Sequence, residues 1–251
     1  MASPTLVINI GNTSTRLGLY RSDRVTRIQR IDTSADTPAM RAAIDEVAGG
    51  RKIDRCIAAS VVPNATPPWV PLLESRRTSV LWVDHTTSIG LKISVPRPET
   101  IGADRLANAA GAVARYGAPV IVIDFGTALT FSVISDTRGF IGGAIAPGLT
   151  LMTDYLAERT ALLPDVPSAP IQRAVGRSTE EAIRIGADYG FPGMVRGVLD
   201  HLMQPFVSSD VRVIATGGDA ARFVKRLDPS IIADRNLTLL GLGRIGDLDG
   251  E

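Results

Sequence analysis

Two short polar stretches, each placed directly after an apolar run, contain the residues whose chemistry stands out in this sequence. The first is Asn-Ile-Gly-Asn-Thr-Ser-Thr at residues 9–15, and the second is Asp-Phe-Gly-Thr-Ala-Leu-Thr at residues 124–130. A glycine in such a turn lets the backbone approach a ligand, and the N–H and hydroxyl groups beside it can donate to phosphate oxygens. The acid or amide that precedes the glycine can hold a cation or its water shell beside those phosphates. We therefore expect phosphate binding at both turns.

The two stretches belong to an internal repeat, in which residues 6–19 align with residues 122–134 on their glycines. The matched pairs are Val7 with Val122, Ile8 with Ile123, Asn9 with Asp124, Gly11 with Gly126, and Thr15 with Thr130. Each copy predicts a strand, a tight turn and a second strand, which is a β-hairpin. Two ordinary hairpins in a duplicated domain would explain the apolar pattern. The shared order of the polar residues favours two hairpins that clamp a nucleoside triphosphate across a cleft.

A third candidate is the segment Gly-Ala-Asp-Arg at residues 102–105, which opens an alanine-rich stretch predicted as a helix over residues 101–116. The helix dipole favours an acid at Asp104, and the same field would attract a substrate anion or a transferring phosphate. The simpler interpretation is a first-turn acid followed by a surface charge at Arg105. Because this helix links the two repeated halves, we expect the Asp104 carboxylate to stand near the cleft.

Composition excludes several classes of function. Hydrophobic residues make up 45% of the chain and charged residues 21%, which is typical of a soluble globular protein. A net charge of +1 gives no electrostatic case for binding nucleic acid or an anionic membrane, so local sites must carry the function. The N-terminus lacks a secretion signal, and no apolar run approaches the length of a membrane span. The single cysteine, Cys56, is expected to be a buried thiol in a reducing cytoplasm.

The chain is expected to form an α/β protein of two domains, residues 1–115 and 116–251. The first half predicts the order β-β-β-α-β, with its first helix over residues 37–47 and a buried strand over residues 53–62. In the second half, helices are predicted over residues 149–162, 180–189 and 193–205, and a strand over residues 211–215. Ser178 or Thr179 is expected to cap the helix that begins at Glu180.

Six motifs in one order make the chain resemble the type III pantothenate kinases, of the acetate and sugar kinase, Hsp70 and actin superfamily. Beside the two turns and Gly-Ala-Asp-Arg, these are Gly-Gly-x-Ile-x-Pro-Gly at residues 142–148, Arg-Thr-Ala-x-Leu-Pro at residues 159–164 and Ala-Thr-Gly-Gly at residues 215–218. The resemblance covers residues 5 to 245. It implies a duplicated ribonuclease-H-like fold, the actin-like ATPase fold, with two similar domains around a nucleotide cleft.

The family's reaction is the ATP-dependent phosphorylation of pantothenate to 4'-phosphopantothenate, which opens coenzyme A synthesis. The resemblance implies ATP, magnesium bound with the nucleotide, a monovalent cation such as potassium or ammonium, and a homodimer. The implied ATP contacts are Asn9, Ile10, Gly11, Asn12, Thr13, Ser14, Thr15, Arg16 and Thr127, and the implied ligand of the monovalent cation is Asp124. The implied pantothenate contacts are Gly102, Ala103, Asp104, Arg105 and Thr179, with Asp104 as the proton acceptor.

Several positions depart from the family pattern. They are Asn9 in place of an aspartate, Val95 and Arg97 in place of a tyrosine and an asparagine, Leu129 and Ser132 in place of a threonine and an aspartate, and Leu240 in place of a glutamate. An amide at residue 9 still coordinates through oxygen but contributes no anion. Two alternatives therefore stay open at this point: a kinase of another small alcohol, and a nucleotide-binding regulatory relative with little turnover.

Overall fold

The computed structural model describes residues 4–167, 169, 171–206 and 210–250, which form two five-stranded sheets with flanking helices. The elements of the first sheet and its helices are β1 (Thr5–Ile10), β2 (Ser14–Arg21), β3 (Arg24–Asp32), α1 (Thr37–Ala48), β4 (Arg55–Ser60), α2 (Trp69–Glu74), β5 (Ser79–Trp82) and α3 (Ala103–Tyr116). The elements that follow are β6 (Val120–Phe125), β7 (Ala128–Ser135), β8 (Gly139–Pro147), α4 (Leu149–Arg159), α5 (Thr179–Met203), β9 (Arg212–Gly217), α6 (Ala220–Leu227), β10 (Ile232–Ala233) and α7 (Leu237–Asp249).

The two sheets have the same strand order. The first runs β3-β2-β1-β4-β5, and the second, read from its opposite edge, runs β8-β7-β6-β9-β10. In the first sheet, β1 pairs antiparallel with β2 and parallel with β4, so Asn9 lies opposite Arg16 and Ile10 lies opposite Thr15. In the second sheet, β9 and β10 are parallel, as β4 and β5 are in the first. This repetition confirms the predicted duplicated ribonuclease-H-like α/β fold.

The chain divides into two compact units. The first comprises residues 1–120, 132–142 and 234–251, and the second comprises residues 121–131 and 143–233. These units differ from the predicted domains 1–115 and 116–251 in the C-terminal segment, because α7 packs on α3 and on strands β1 and β2. The predicted division into domains remains a prediction.

Helix α7 is buried to an unusual degree along its length. Leu239, Leu240, Leu242 and Ile245 are each at most 1% exposed and belong to one core with Val7 and Ile57. A methyl group added at Gly241 would overlap the carbonyl oxygen of Ala107, and one at Gly111 would lie 2.7 Å from the carbonyl oxygen of Leu237. Helices α3 and α7 therefore pack with their backbones almost in contact, which requires glycine at the crossing.

The second unit has an aromatic centre formed by Phe125, Phe191 and Phe223, and the rings of Phe191 and Phe223 are 4.9 Å apart. The prediction of separate helices over residues 180–189 and 193–205 is wrong, because α5 continues through Pro192. A proline removes one helical hydrogen bond. Here Phe191 and Val195, on either side of it, are buried in the aromatic core, and this packing stabilises the continuous helix.

The prediction for the single cysteine is confirmed. Cys56 is a free, fully buried thiol, and its burial raises the pKa so that the thiolate is disfavoured. Among the described helices, none combines the length and apolar character needed to cross a bilayer.

Candidate active site

The first hairpin turn is held by its own backbone and by Thr33. The amide of Gly11 donates to the carbonyl oxygen of Ser14 at 3.2 Å, and the hydroxyl of Thr33 donates to the carbonyl oxygen of Gly11 at 2.6 Å. The hydroxyl of Thr15 lies 3.1 Å from that of Thr33, and Thr15 is only 1% exposed. Thr15 therefore supports the turn from inside. Asn12 and Thr13, by contrast, are exposed at its tip.

Asn9 ends the strand that leads into this turn. Its side-chain oxygen Oδ1 is buried and has no hydrogen-bond partner among the described residues. A buried amide oxygen without a donor is costly unless water or a cation supplies the missing contact. Asn9 therefore offers an oxygen ligand, of the kind that magnesium or its bound water accepts, at the position predicted to meet the phosphates.

The guanidinium of Arg16 is fixed by the segment just before α7. Its Nη2 donates to Oδ1 of Asn236 at 2.8 Å, and its Nη1 donates to the carbonyl oxygen of Arg235. The side chain of Arg16 is thus oriented by residues outside the hairpin. Any phosphate contact made by Arg16 must be compatible with these bonds.

The start of α3 lies beside the end of β1. The amide of Val61 donates to the carbonyl oxygen of Ile10 at 3.1 Å, and a methyl group added at Gly102 would lie 3.3 Å from Cγ1 of Val61. The same added methyl group would lie 2.6 Å from Oδ1 of Asp104, so the Asp104 carboxylate folds back over Gly102. The two predicted sites of the first unit, the hairpin and the α3 N-terminus, are therefore joined through Val61.

Asp104 has the electrostatic properties of a proton acceptor. Burial raises the pKa of its carboxyl group, while the amide of Arg105, which donates to Oδ1 at 2.7 Å, and the charge of Arg105 oppose the rise. A raised pKa makes the carboxylate a stronger base than an ordinary aspartate. The helix N-terminus beside it would stabilise negative charge on a bound substrate.

Arg105 is held against two residues of the segment from 132 to 142. Its Nε donates to Oγ of Ser132 at 3.1 Å, and its guanidinium carbon lies 5.4 Å from the ring centroid of Phe140. Burial lowers the pKa of Arg105, and the charge of Asp104 opposes that change. Arg105 is therefore oriented beside Asp104 rather than extended into solvent as a surface charge.

Two glycines from other segments of the second unit, Gly148 and Gly217, lie against the second hairpin turn. The amide of Gly148 donates to the carbonyl oxygen of Thr127 at 3.0 Å, and a methyl group at Gly148 would overlap the carbonyl oxygen of Gly126. Gly217, with φ of +93°, approaches so closely that its methyl group would lie 2.6 Å from Oδ1 of Asp124. Gly217, at the end of β9, therefore lies so close to the Asp124 carboxylate that any side chain there would clash with it.

Thr179 is the first residue of α5. Ser178 is the N-cap of that helix, since its hydroxyl accepts from the amide of Glu181 at 3.2 Å. Of the two predicted capping residues, Ser178 is the one observed. Thr179 is exposed, and its predicted contact with substrate remains a prediction.

Sequence reasoning missed Gly148, Gly217 and Asn236 as site residues. The first two had a signal, since both lie in glycine motifs at strand ends, but such turns are common and weak evidence alone. Asn236 had none, because it lies 220 residues from Arg16 along the chain. Within the described ranges, no three acidic, histidine or cysteine side chains group together to hold a metal ion.

A family model for type III pantothenate kinases matches residues 5–201 of the chain. The chain belongs to the type III pantothenate kinase family. It is 38% identical to the type III pantothenate kinase of Akkermansia muciniphila, covering 94% of this chain and 96% of that protein. It is 35% identical to the type III pantothenate kinase of Methylacidiphilum infernorum, covering 97% of this chain and 88% of that protein.

A solved structure with the same fold is the activator of 2-hydroxyisocaproyl-CoA dehydratase from Clostridium difficile with bound ADPNP. The TM-score is 0.57 at 10% identity, covering 99% of this chain and 96% of that chain. At this identity the likeness shows the fold alone. Two predictions from the sequence are therefore confirmed: the chain has the duplicated fold, and it is a kinase of this family.

Proposed function

We propose that this type III pantothenate kinase transfers the γ-phosphoryl group of ATP to the primary hydroxyl of pantothenate, giving 4'-phosphopantothenate in the first step of coenzyme A synthesis. The observation that carries the proposal is the Asp104 carboxylate, which has a raised pKa and lies at the start of α3, next to the strand that leads into the first hairpin turn. Family membership identifies the reaction, and Asp104 supplies the group that the reaction needs.

Asp104 acts as the proton acceptor. Phosphoryl transfer requires mainly positioning and charge neutralisation, together with a carboxylate that takes the proton of the attacking hydroxyl. That proton leaves late, so the reaction does not require a strongly raised carboxyl pKa. The amide of Arg105 keeps one carboxylate oxygen fixed, which leaves the other to face the hydroxyl.

The hairpins neutralise the phosphates. Lys52, Lys92 and Lys225 all lie outside the motifs, so no P-loop lysine is available and turn amides must carry this role. In this proposal residues 9–16 and Thr127 contact ATP. Thr15 contributes by supporting the turn, since its buried hydroxyl already lies against Thr33.

Two cations complete the charge balance. Asn9 would offer Oδ1 to magnesium or to its water shell, and the orphaned state of that oxygen supports this role. Asp124 would hold a monovalent cation, potassium or ammonium, at the closely packed point beside Gly217. The cations supply electrostatic stabilisation of the phosphates when they are bound.

Pantothenate would be bound by residues 102–105 and Thr179. Arg105 is the cation of this set, and its bond to Ser132 together with its contact on Phe140 fixes its direction. Ser132 stands where the family has an aspartate, so this partner of Arg105 is a neutral hydroxyl and not an anion. Pantothenate carries the carboxylate that a guanidinium recognises.

A cytoplasmic homodimer is part of the proposal. Helix α4 has no buried residue along its described length, although Leu151 is 44% exposed and Tyr155 is 52% exposed on it. On the neighbouring strand β8, Ile145 is 66% exposed. These exposed apolar side chains support a protein contact, and a second copy is the partner that the family resemblance implies.

The test is a coupled ADP assay with and without pantothenate, with magnesium and potassium supplied. We expect ADP to appear only when pantothenate is present, and Asp104→Asn to reduce turnover by at least a hundredfold while ATP binding is retained. The matched control is Asp54→Asn, which changes an exposed carboxylate paired with Lys52 and is expected to leave the rate unchanged. The proposal fails if pantothenate does not stimulate ADP release by the wild-type protein.

A further inference from the structure

We propose that Asn236 is a positioning residue, which holds the guanidinium of Arg16 in the direction needed to bind a phosphate of ATP. The inference rests on the proposed function, because it takes Arg16 as an ATP contact. It adds a residue from outside all the family motifs, at the point where the chain enters α7.

The bonds between the two residues are direct. Nη2 of Arg16 donates to Oδ1 of Asn236 at 2.8 Å, and Nη1 of Arg16 donates to the neighbouring carbonyl oxygen of Arg235. A guanidinium carries its donors in one rigid plane, so two bonds along one edge set the direction of the whole group. Arg16 itself lies on β2 opposite Asn9, directly after the hairpin turn.

The side chain of Asn236 bonds to Arg16 instead of capping α7. It occupies the N-cap position of α7, where an asparagine side chain normally accepts from a backbone amide of the first turn. Here the side chain makes no such bond. A cation near the positive end of a helix is also electrostatically unfavourable. The chain therefore forgoes an N-cap bond for α7 and keeps a cation at the helix N-terminus in order to fix one orientation of Arg16. This cost indicates that the orientation of Arg16 has a function.

The anchor is itself rigid. Asp234 is 9% exposed, and its Oδ2 accepts from Nη1 of Arg115 at 2.7 Å and from the hydroxyl of Tyr116 at 3.0 Å. Its Oδ1 accepts from the amide of Asn236 at 3.0 Å. Arg115 and Tyr116 end helix α3, and Asp104 lies in its first turn. One helix thus carries the proposed base at its start and the support for Asn236 at its end.

The first experiment compares variants of Asn236 in purified full-length protein. Asn236→Ser supplies a hydroxyl that can cap α7 but is too short to reach Arg16, so the fold is retained while the bond from Nη2 of Arg16 is lost. We expect the KM for ATP to rise about tenfold and the KM for pantothenate to stay unchanged. The dissociation constant of ATP, measured by calorimetry without turnover, should rise by a similar factor.

The matched control is Thr238→Val. The hydroxyl of Thr238 donates to Oδ1 of Asn108 at 2.8 Å. This buried bond joins α7 to α3 and does not involve Arg16. We expect this variant to lower the melting temperature and to leave the affinity for ATP unchanged. If Thr238→Val weakens ATP binding as much as Asn236→Ser, the effect of Asn236 is merely structural and the inference is wrong.

A double-mutant cycle tests whether Asn236 acts through Arg16. Arg16→Ala alone should weaken ATP binding, and Asn236→Ser should add nothing further in that background. Additive losses would overturn the inference, as would an unchanged ATP affinity in Asn236→Ser. Failure of the proposed function is distinguishable from both, because in that case the wild-type protein would release no ADP in response to pantothenate.

Discussion

Asp104, the proposed proton acceptor, carries a cost to the fold. Its carboxyl pKa is raised by burial, so the folded protein binds this proton more tightly than the unfolded chain does. Folding therefore favours the protonated form, whereas the proposed role in catalysis needs the carboxylate. Above the ordinary pKa of an aspartate, the raised pKa lowers the stability of the folded state.

Asp104→Asn is expected to raise the melting temperature while it removes turnover. At pH 7 we expect a higher melting temperature than that of the wild type, because the amide does not have the raised pKa that costs stability above the ordinary aspartate value. The gain should shrink as the pH falls towards the ordinary aspartate pKa of about 3.9, because the wild-type carboxyl group is then protonated as well. Differential scanning calorimetry across this range measures it, and a lower melting temperature for the variant at pH 7 would contradict the burial argument.

At the scale of an element, the first turn of α3 depends on a small residue for its chemistry. Gly102 has an ordinary backbone conformation with φ of −59°, so any residue could adopt it. What a side chain at Gly102 would displace is the Asp104 carboxylate, which lies over it. Glycine at residue 102 therefore leaves room for the Asp104 carboxylate and is not required by the backbone conformation.

Gly102→Ala is expected to lower kcat at least tenfold with little change in stability. The added methyl group would lie 2.6 Å from Oδ1 of Asp104, and the carboxylate, as the end of a side chain, can rotate away. The control is Gly186→Ala, at an open position of α5, which should leave kcat unchanged and stabilise the protein by roughly 0.5–1 kcal/mol. Steady-state kinetics with denaturant unfolding would check both, and full activity in Gly102→Ala would show that the carboxylate does not need its observed position.

The elements themselves were partly predictable from the sequence. The hairpins around Gly11 and Gly126, and the helix that starts with Asp104, follow from local turn and helix signals, and their order carried the family resemblance. Continuity of α5 through Pro192 did not follow, because it depends on packing of Phe191 against Phe223 from another helix. The bond of Asn236 to Arg16 was equally inaccessible, since no local pattern relates residues 220 positions apart.

At the scale of the whole molecule, the first unit is completed by a helix from the far end of the chain. Residues 234–251 belong to the unit that contains β1, and α7 contributes four nearly inaccessible side chains to its core, Leu239, Leu240, Leu242 and Ile245. The sequence analysis placed this segment in the predicted domain 116–251, and that division remains a prediction.

Gly241→Ala is expected to destabilise the protein by about 2 kcal/mol or more, because a methyl group there would overlap the carbonyl oxygen of Ala107 and force α7 away from α3. The same substitution at Gly197, an open position on α5, should instead be neutral or stabilising. Urea unfolding of both variants measures the difference. Equal stabilities would mean that the close approach of the two helices is not needed.

The placement of α7 also bears on how the protein is made. A ribosome delivers residues 237–249 after every other helix and strand of the first unit, so the nascent β1–β2 hairpin emerges long before the helix that covers one of its faces. All of residues 121–233 has been synthesised by then, so the later unit has its complete sequence before the earlier one does. During synthesis, the core that contains Val7 and Ile57 therefore lacks its α7 side chains until residues 237–249 have been made.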